Sequence, residues 1–193
     1  GMDLKFPHHE NEIAQSEAYL GHKWCNNWFH VEHLNDASGK MSKSKGEFLT
    51  VSLLESKGYN PLAYRLLCLQ SHYRKQLLFT YDALDNATNA YNKLLSKIQS
   101  LKENNTGEIK DTEKYNEKFK EALKDDLNTS VALTVLYDVL KSELNNASKL
   151  YLVGEFDKVL SLDLLKDNKK EIDSDLEKYI LDIMREEWKN DDK

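Results

Sequence analysis

The 193 residues (22.4 kDa) are 40% hydrophobic and 31% charged, enough for one or two globular domains with a buried core. No apolar run approaches the ~20 residues of a membrane span, and no secretory leader pattern opens the chain. The net charge of −6 argues against a generally basic nucleic-acid binder, and two cysteines, Cys25 and Cys68, give no disulfide framework and fit a reducing cytoplasm.

The opening "MDLKF", residues 2–6, alternates apolar and polar side chains as a short strand does. Gly1-Met2 followed at once by such an alternation reads as a start in mid-domain, so the chain is expected to be a fragment of a longer protein; a tag remnant before a true start at Met2 is the alternative. Pro7 stands where helices begin, and "HHENEIAQSEAYL" predicts a helix ending at Gly21. "WFHVEHL" (28–34) is aromatic and β-branched enough for a second strand, and the loop "GKMSKSKGEF" (39–48) follows it.

Beyond residue 50 every signal is helical. Thr50 can cap a short helix that stops at Gly58, and Asn60-Pro61 caps and opens another whose run "LAYRLLCL" is apolar nearly all round. Residues 81–101 line up Leu84, Ala87, Tyr91, Leu94, Leu95, Ile98 and Leu101 on one face. A polar linker (103–112) leads to a charged helix (113–124). A helix over 129–147 carries Leu133, Leu136, Leu140 and Leu144, and 155–165 is a short apolar piece. After a second polar linker, a last helix carries Leu176, Tyr179, Ile180, Ile183 and Trp188.

Charge is distributed unevenly along this layout. Residues 1–80 hold 9 Lys+Arg against 8 Asp+Glu, a net of +1, and residues 81–193 hold 18 against 25, a net of −7. All six His, both Pro and five of the seven Gly fall in the first eighty residues. Site-building residues are therefore expected there, with helical scaffold behind them.

Two constellations stand out. His8 and Glu12 are four apart, which on a helix puts an imidazole and a carboxylate on one face, one turn apart. That pair can be two ligands of a zinc ion, or a solvated His–Glu pair; two donors alone do not complete a zinc site. In the loop, Lys40, Ser42, Lys43 and Ser44 set two mobile ammonium groups beside two hydroxyls, a chemistry suited to a triphosphate. The glycine spacing of a Walker loop is missing, and a solvated charge run is the plain alternative.

Taken together the two constellations carry a resemblance. "KMSKS", Lys40 to Ser44, resembles the signature loop of class I aminoacyl-tRNA synthetases, and "FPHHENEIAQSEA" (6–18) resembles the zinc-site helix of cysteinyl-tRNA synthetases. "HYR" (72–74) and "DDLNT" (125–129) are similar to stretches of that family's helical half. The likeness is strong over residues 1–80 and weakens after about 130. At Glu32, Lys45 and Glu47 the chain departs from residues common in the family.

The resemblance implies a mainly α chain: the remnant of a Rossmann-type α/β catalytic domain (1–50), a helical connecting region (51–80) and a truncated helical tRNA-binding bundle (81–193). It implies His8 and Glu12 as two of four zinc ligands, the other two being cysteines outside this chain, with Cys25 and Cys68 as packing residues. Zinc would take the thiolate of substrate cysteine, which serine cannot match. It implies an ATP site at Lys40, Met41, Ser42, Lys43 and Ser44, with Lys43 and Lys40 contacting the phosphates during attack of the cysteine carboxylate on the α-phosphate. The implied partners are cysteine, ATP with magnesium and cysteine tRNA, and the implied protein is a cytoplasmic monomer that needs no membrane. The fragment alone is expected to be inactive. Two rival readings remain at this point: a related ligase that joins cysteine to an amino sugar, and a stand-alone helical module that binds RNA or protein.

Overall fold

The computed structural model describes residues 1–36, 39–40 and 49–166. The chain is mainly α, with one small sheet near its start. A 3-10 turn (Met2–Leu4) and a wide turn (Lys5–His9) lead into α1 (Glu10–Leu20). Strands β1 (Leu34–Asp36) and β2 (Gly39–Lys40) follow, then helices α2 (Val51–Ser56) and α3 (Pro61–Leu69) and strand β3 (Leu77–Leu78). Four helices complete the described chain: α4 (Tyr81–Glu103), α5 (Glu113–Lys124), α6 (Thr129–Lys141) and α7 (Asn146–Leu160). The expected final helix around Trp188 lies outside the described residues.

Local chemistry sets most of the helix ends. Gly21 ends α1 in the left-handed region (φ 71°), and its N–H donates to the Glu17 carbonyl. The Thr50 hydroxyl accepts from the Leu53 amide and the Asn60 side chain from the Leu62 amide, so both predicted caps are formed. Pro61 follows Asn60 at the first helical position.

The two predicted strands are corrected. Residues 2–4 form a 3-10 turn, and 28–33 belong to no strand; pairing begins only at Leu34. Alternation specifies which side chains share a face, but a strand also needs a continuous ladder, and 28–33 makes only isolated backbone bonds, from the Met2 amide to the Val31 carbonyl and from the Glu32 amide to the Tyr73 carbonyl. The sheet has the order β2-β1-β3. Asn35 faces Lys40 in the antiparallel pair, and Leu34 faces Leu77 in the parallel one. β3 was not anticipated; two residues leave no periodicity to read.

The helices enclose two apolar clusters. α3 lies between them, with Leu66 in the larger and Leu67 in the smaller, which accounts for its all-round apolar sequence. α4 likewise gives Leu84 and Ala87 to the smaller cluster and Tyr91, Leu94 and Ile98 to the larger. Leu133, Leu136 and Leu140 of α6 share that larger cluster, and the rings of Phe119 and Phe156 stack at 4.1 Å within it.

Two further expectations are corrected. The helix predicted over 129–147 stops at Lys141, and 155–165 is the end of α7 plus a folded-back tail. Ser142 is extended (ψ 168°) and Asn145 starts α7 by accepting from the Ser148 amide. α7 ends at Ser161 in the left-handed region, and the Asp157 carboxylate accepts from the amides of Leu162 and Leu164, which turns both leucines into the core.

Candidate functional site

The backbone of Phe6 is extended (φ −134°, ψ 132°), and the helical run starts after it. His8 and Glu12 therefore stand a turn apart on one helical run, both exposed, and neither makes a hydrogen bond or ion pair among the described residues. An exposed imidazole and carboxylate in that relation suit two donors to one cation. Among the described residues no group of three His, Cys, Asp or Glu side chains is close enough to hold a metal. Cys25 donates to the Asn27 carbonyl at 3.2 Å, and Cys68 is half-buried beside Tyr64, burial pushing its thiol pKa up.

The neighbouring His9 does have partners, and sequence spacing gave no hint of them. Its Nδ1 lies 2.8 Å from Nε2 of His30, one imidazole donating to the bare nitrogen of the other. Its ring packs 4.8 Å from Trp28, which Trp24 meets edge-on at 5.9 Å. Desolvation, and after it the adjacent His9, hold the His30 pKa below its ordinary 6.5. The Met2 amide donates to the Val31 carbonyl at 3.2 Å, and Asp3 lies 3.4 Å from His33. These contacts seat the turn that carries His8 against the 28–33 segment. That segment runs into β1, and β2 beside it ends at Lys40. Met41, Ser42, Lys43 and Ser44 lie outside the described residues.

The two other quoted stretches also meet. The Tyr73 hydroxyl and Arg74 Nε both donate to the Asp126 carboxylate, a second guanidinium N–H reaches it at 3.1 Å, and His72 lies 3.8 Å away. Arg74 first and Tyr73 second hold the Asp126 carboxyl down at about 2. The Thr129 hydroxyl donates to the Leu69 carbonyl at 2.8 Å. Between these contacts and the strand segment lies a cavity of about 310 Å³, lined by Phe29, Val31, Leu34, Tyr64, Leu69 and Leu127 among others. Asp126 escaped sequence reading because its partners are over fifty residues away.

Residues 1–89 match the family described as the class I (C) tRNA synthetase catalytic domain, and residues 118–172 match the DALR domain. The first match, which holds both the His8–Glu12 helix and the strand ending at Lys40, defines the chain as one of the class I aminoacyl-tRNA synthetases. Among curated proteins, a cysteine–tRNA ligase of Brachyspira hyodysenteriae is 44% identical over 150 residues, 74% of this chain and 32% of that protein. Another, of Novosphingobium aromaticivorans, is 40% identical over 184 residues, 86% of this chain and 36% of that protein. A third, of Borreliella burgdorferi, is 38% identical over 178 residues, 85% of this chain and 37% of that protein. The chain belongs to the cysteine–tRNA ligase family. It spans about a third of the length of the curated relatives it matches.

Proposed function

We propose that the chain is part of an enzyme that activates cysteine with ATP and transfers it to the 3′ end of cysteine tRNA. The observation that carries this reading is the seating of the His8–Glu12 helix, through His9 and His30, against the segment that leads to Lys40. A site for the amino acid and a site for the nucleotide must adjoin if a carboxylate is to attack a phosphate.

In this reading His8 and Glu12 donate to zinc, and two thiolates from outside this chain complete the set. When bound, zinc supplies a soft centre for the substrate thiolate that serine's hydroxyl does not satisfy. Lys40, Met41, Ser42, Lys43 and Ser44 form the phosphate side of the ATP site, with magnesium entering on ATP. Lys43 and Lys40 follow the charge that develops on the departing pyrophosphate; no protein nucleophile is required. Residues 1–50 belong to the catalytic domain, 51–80 connect it, and 81–193 form the tRNA-facing bundle. The protein works in the cytoplasm as a monomer, away from membranes; among the described residues no helix is long and apolar enough to cross one. Without the rest of the catalytic domain this chain is inactive.

The reading is tested at the metal. With two of four donors, the 193-residue chain should bind zinc weakly in competition with a chelating dye, because unshared imidazole protonates and no thiolate contributes. In the complete enzyme, His8→Ala or Glu12→Ala should weaken zinc binding and raise serine-dependent ATP–pyrophosphate exchange relative to cysteine. Sub-nanomolar stoichiometric zinc in this chain, or undiminished zinc in both variants, would refute the ligand assignment.

A further inference from the structure

His72, Tyr73 and Arg74 lie in the first family match, and Asp126 lies in the second. We infer that Tyr73, Arg74 and Asp126 form a latch that fixes the sheet carrying Lys40 to the helical domain, with Asp126 as the positioning residue. The inference deepens the proposed function and rests on it only for its enzymatic consequence.

Leu34 and Phe79 pack with Leu67 and Leu84 in the smaller cluster, which ties the sheet to α3 and α4, and the latch adds a polar tie to the α5–α6 turn. Ala63 and Leu66 of α3 sit in the large cluster, so α3 itself is fixed to the bundle. The stretch that leaves α3, residues 70–76, is mostly exposed or half-buried, and it carries β3 into the sheet. Tyr73 stands at the middle of that stretch and faces both ways. Its carbonyl accepts from the Glu32 amide at 2.9 Å, and its ring stacks on Phe29 at 4.3 Å, so one side of it holds the segment that enters β1. Its hydroxyl, with the Arg74 fork, holds Asp126 between α5 and α6.

The other half of the latch is built at a backbone cost. Asp126 and Leu127 both lie in the left-handed region (φ 52° and 55°), which disfavours residues with a Cβ. The Leu127 and Asn128 amides donate back to the carbonyls of Leu123 and Ala122, so the turn closes α5 and aims the Asp126 carboxylate at residues 73–74. A lone surface ion pair at this exposure contributes little. A guanidinium fork and a phenol converging on one carboxylate form a network with defined geometry.

Amide hydrogen exchange on the 193-residue chain tests the latch directly. Glycine at 126 relieves the left-handed strain and deletes the carboxylate, so the two possible roles of this residue predict opposite results. In Asp126→Gly the amides of Glu32 and Phe79, which report the Tyr73 and β1–β3 contacts, should exchange several-fold faster, with Leu136 and Leu152 unchanged. Arg74→Gln should accelerate the same two amides, and the double variant should go little further than either single one. Unchanged or slower exchange at Glu32 and Phe79 in Asp126→Gly, or additive effects, would overturn the latch.

The complete enzyme gives the second readout. Asp126→Gly should lower transfer of cysteine to tRNA several-fold, since that step needs both domains in register. Cysteine-dependent ATP–pyrophosphate exchange should stay near wild type. Equal loss of both steps would reduce Asp126 to a general stability role and overturn the positioning claim. Absence of cysteine-dependent exchange in the wild-type complete enzyme would instead sink the proposed function, and the amide result would still decide the latch.

Discussion

Asp126 shows how a single exposed carboxylate acquires a measurable property from its neighbours. Its pKa of about 2, against an ordinary 3.8, arises because the Arg74 guanidinium and the Tyr73 hydroxyl both favour the ionised form. A depressed carboxylate pKa stabilises the fold fully above the unfolded value near 4, and that contribution is lost as pH falls from about 4 toward 2. A carboxyl-detected NMR titration of the chain should therefore place Asp126 near the bottom of the Asp range. Arg74→Gln should return it toward the ordinary value. A wild-type midpoint near 4 would mean that the fork does not persist in solution. His8 and Glu12 were legible one residue at a time because i,i+4 spacing is a property of any helix. His9 with His30 and Arg74 with Asp126 were not, since those pairs are set by how the chain folds back on itself.

At the level of elements, helices with strong local signals were readable to within a residue or two. Thr50, Asn60 and Gly21 name their helix ends through side-chain or backbone chemistry that acts within four residues. The break at 142–145 was hidden because Leu140 and Leu144 continue the apolar stripe across it. The sign that mattered was Asn145 three residues before Ser148, an N-cap inside an apparently continuous helix. The same junction shows why the segment before α5 is more than a tether. Ser148 is fully buried, its hydroxyl accepting from the Lys110 amide and donating to the Lys110 carbonyl, while the Asn145 side-chain Nδ2 donates to the Glu108 carbonyl. Ser148→Ala should cost about 1–3 kcal/mol, because both Lys110 groups lose their partner in a partly buried place. Leu136→Ala, at a fully buried position of α6, should cost ~2–5 kcal/mol by denaturant unfolding. If Leu136→Ala leaves the midpoint unchanged, α6 is not packed as described.

The molecule as a whole joins a small sheet and a histidine-bearing helix to a helical bundle. Its exposed apolar residues concentrate at the sheet end: Phe6 is 78% exposed, Tyr19 90% and Phe29 56%. The bundle, by contrast, buries its stripes in a continuous core. Family membership was legible in two short motifs, "FPHHENEIAQSEA" and "KMSKS", because each is a run of consecutive residues that can be read without the fold. The tiny sheet was not legible, since its strands are two or three residues long and β1 meets β3 from far along the chain, which leaves no local pattern. In the proposed function, Lys40 to Ser44 hold the triphosphate of ATP through its transfer. Pre-steady-state pyrophosphate release by the complete enzyme carrying Lys43→Ala tests it most directly. Losing a mobile ammonium aimed at charge that develops only in the transition state should slow that burst about 100–1000-fold, with cysteine binding little changed. A burst at the wild-type rate, accompanied only by a weaker apparent affinity for tRNA, would make the loop a contact to the RNA backbone and contradict the account.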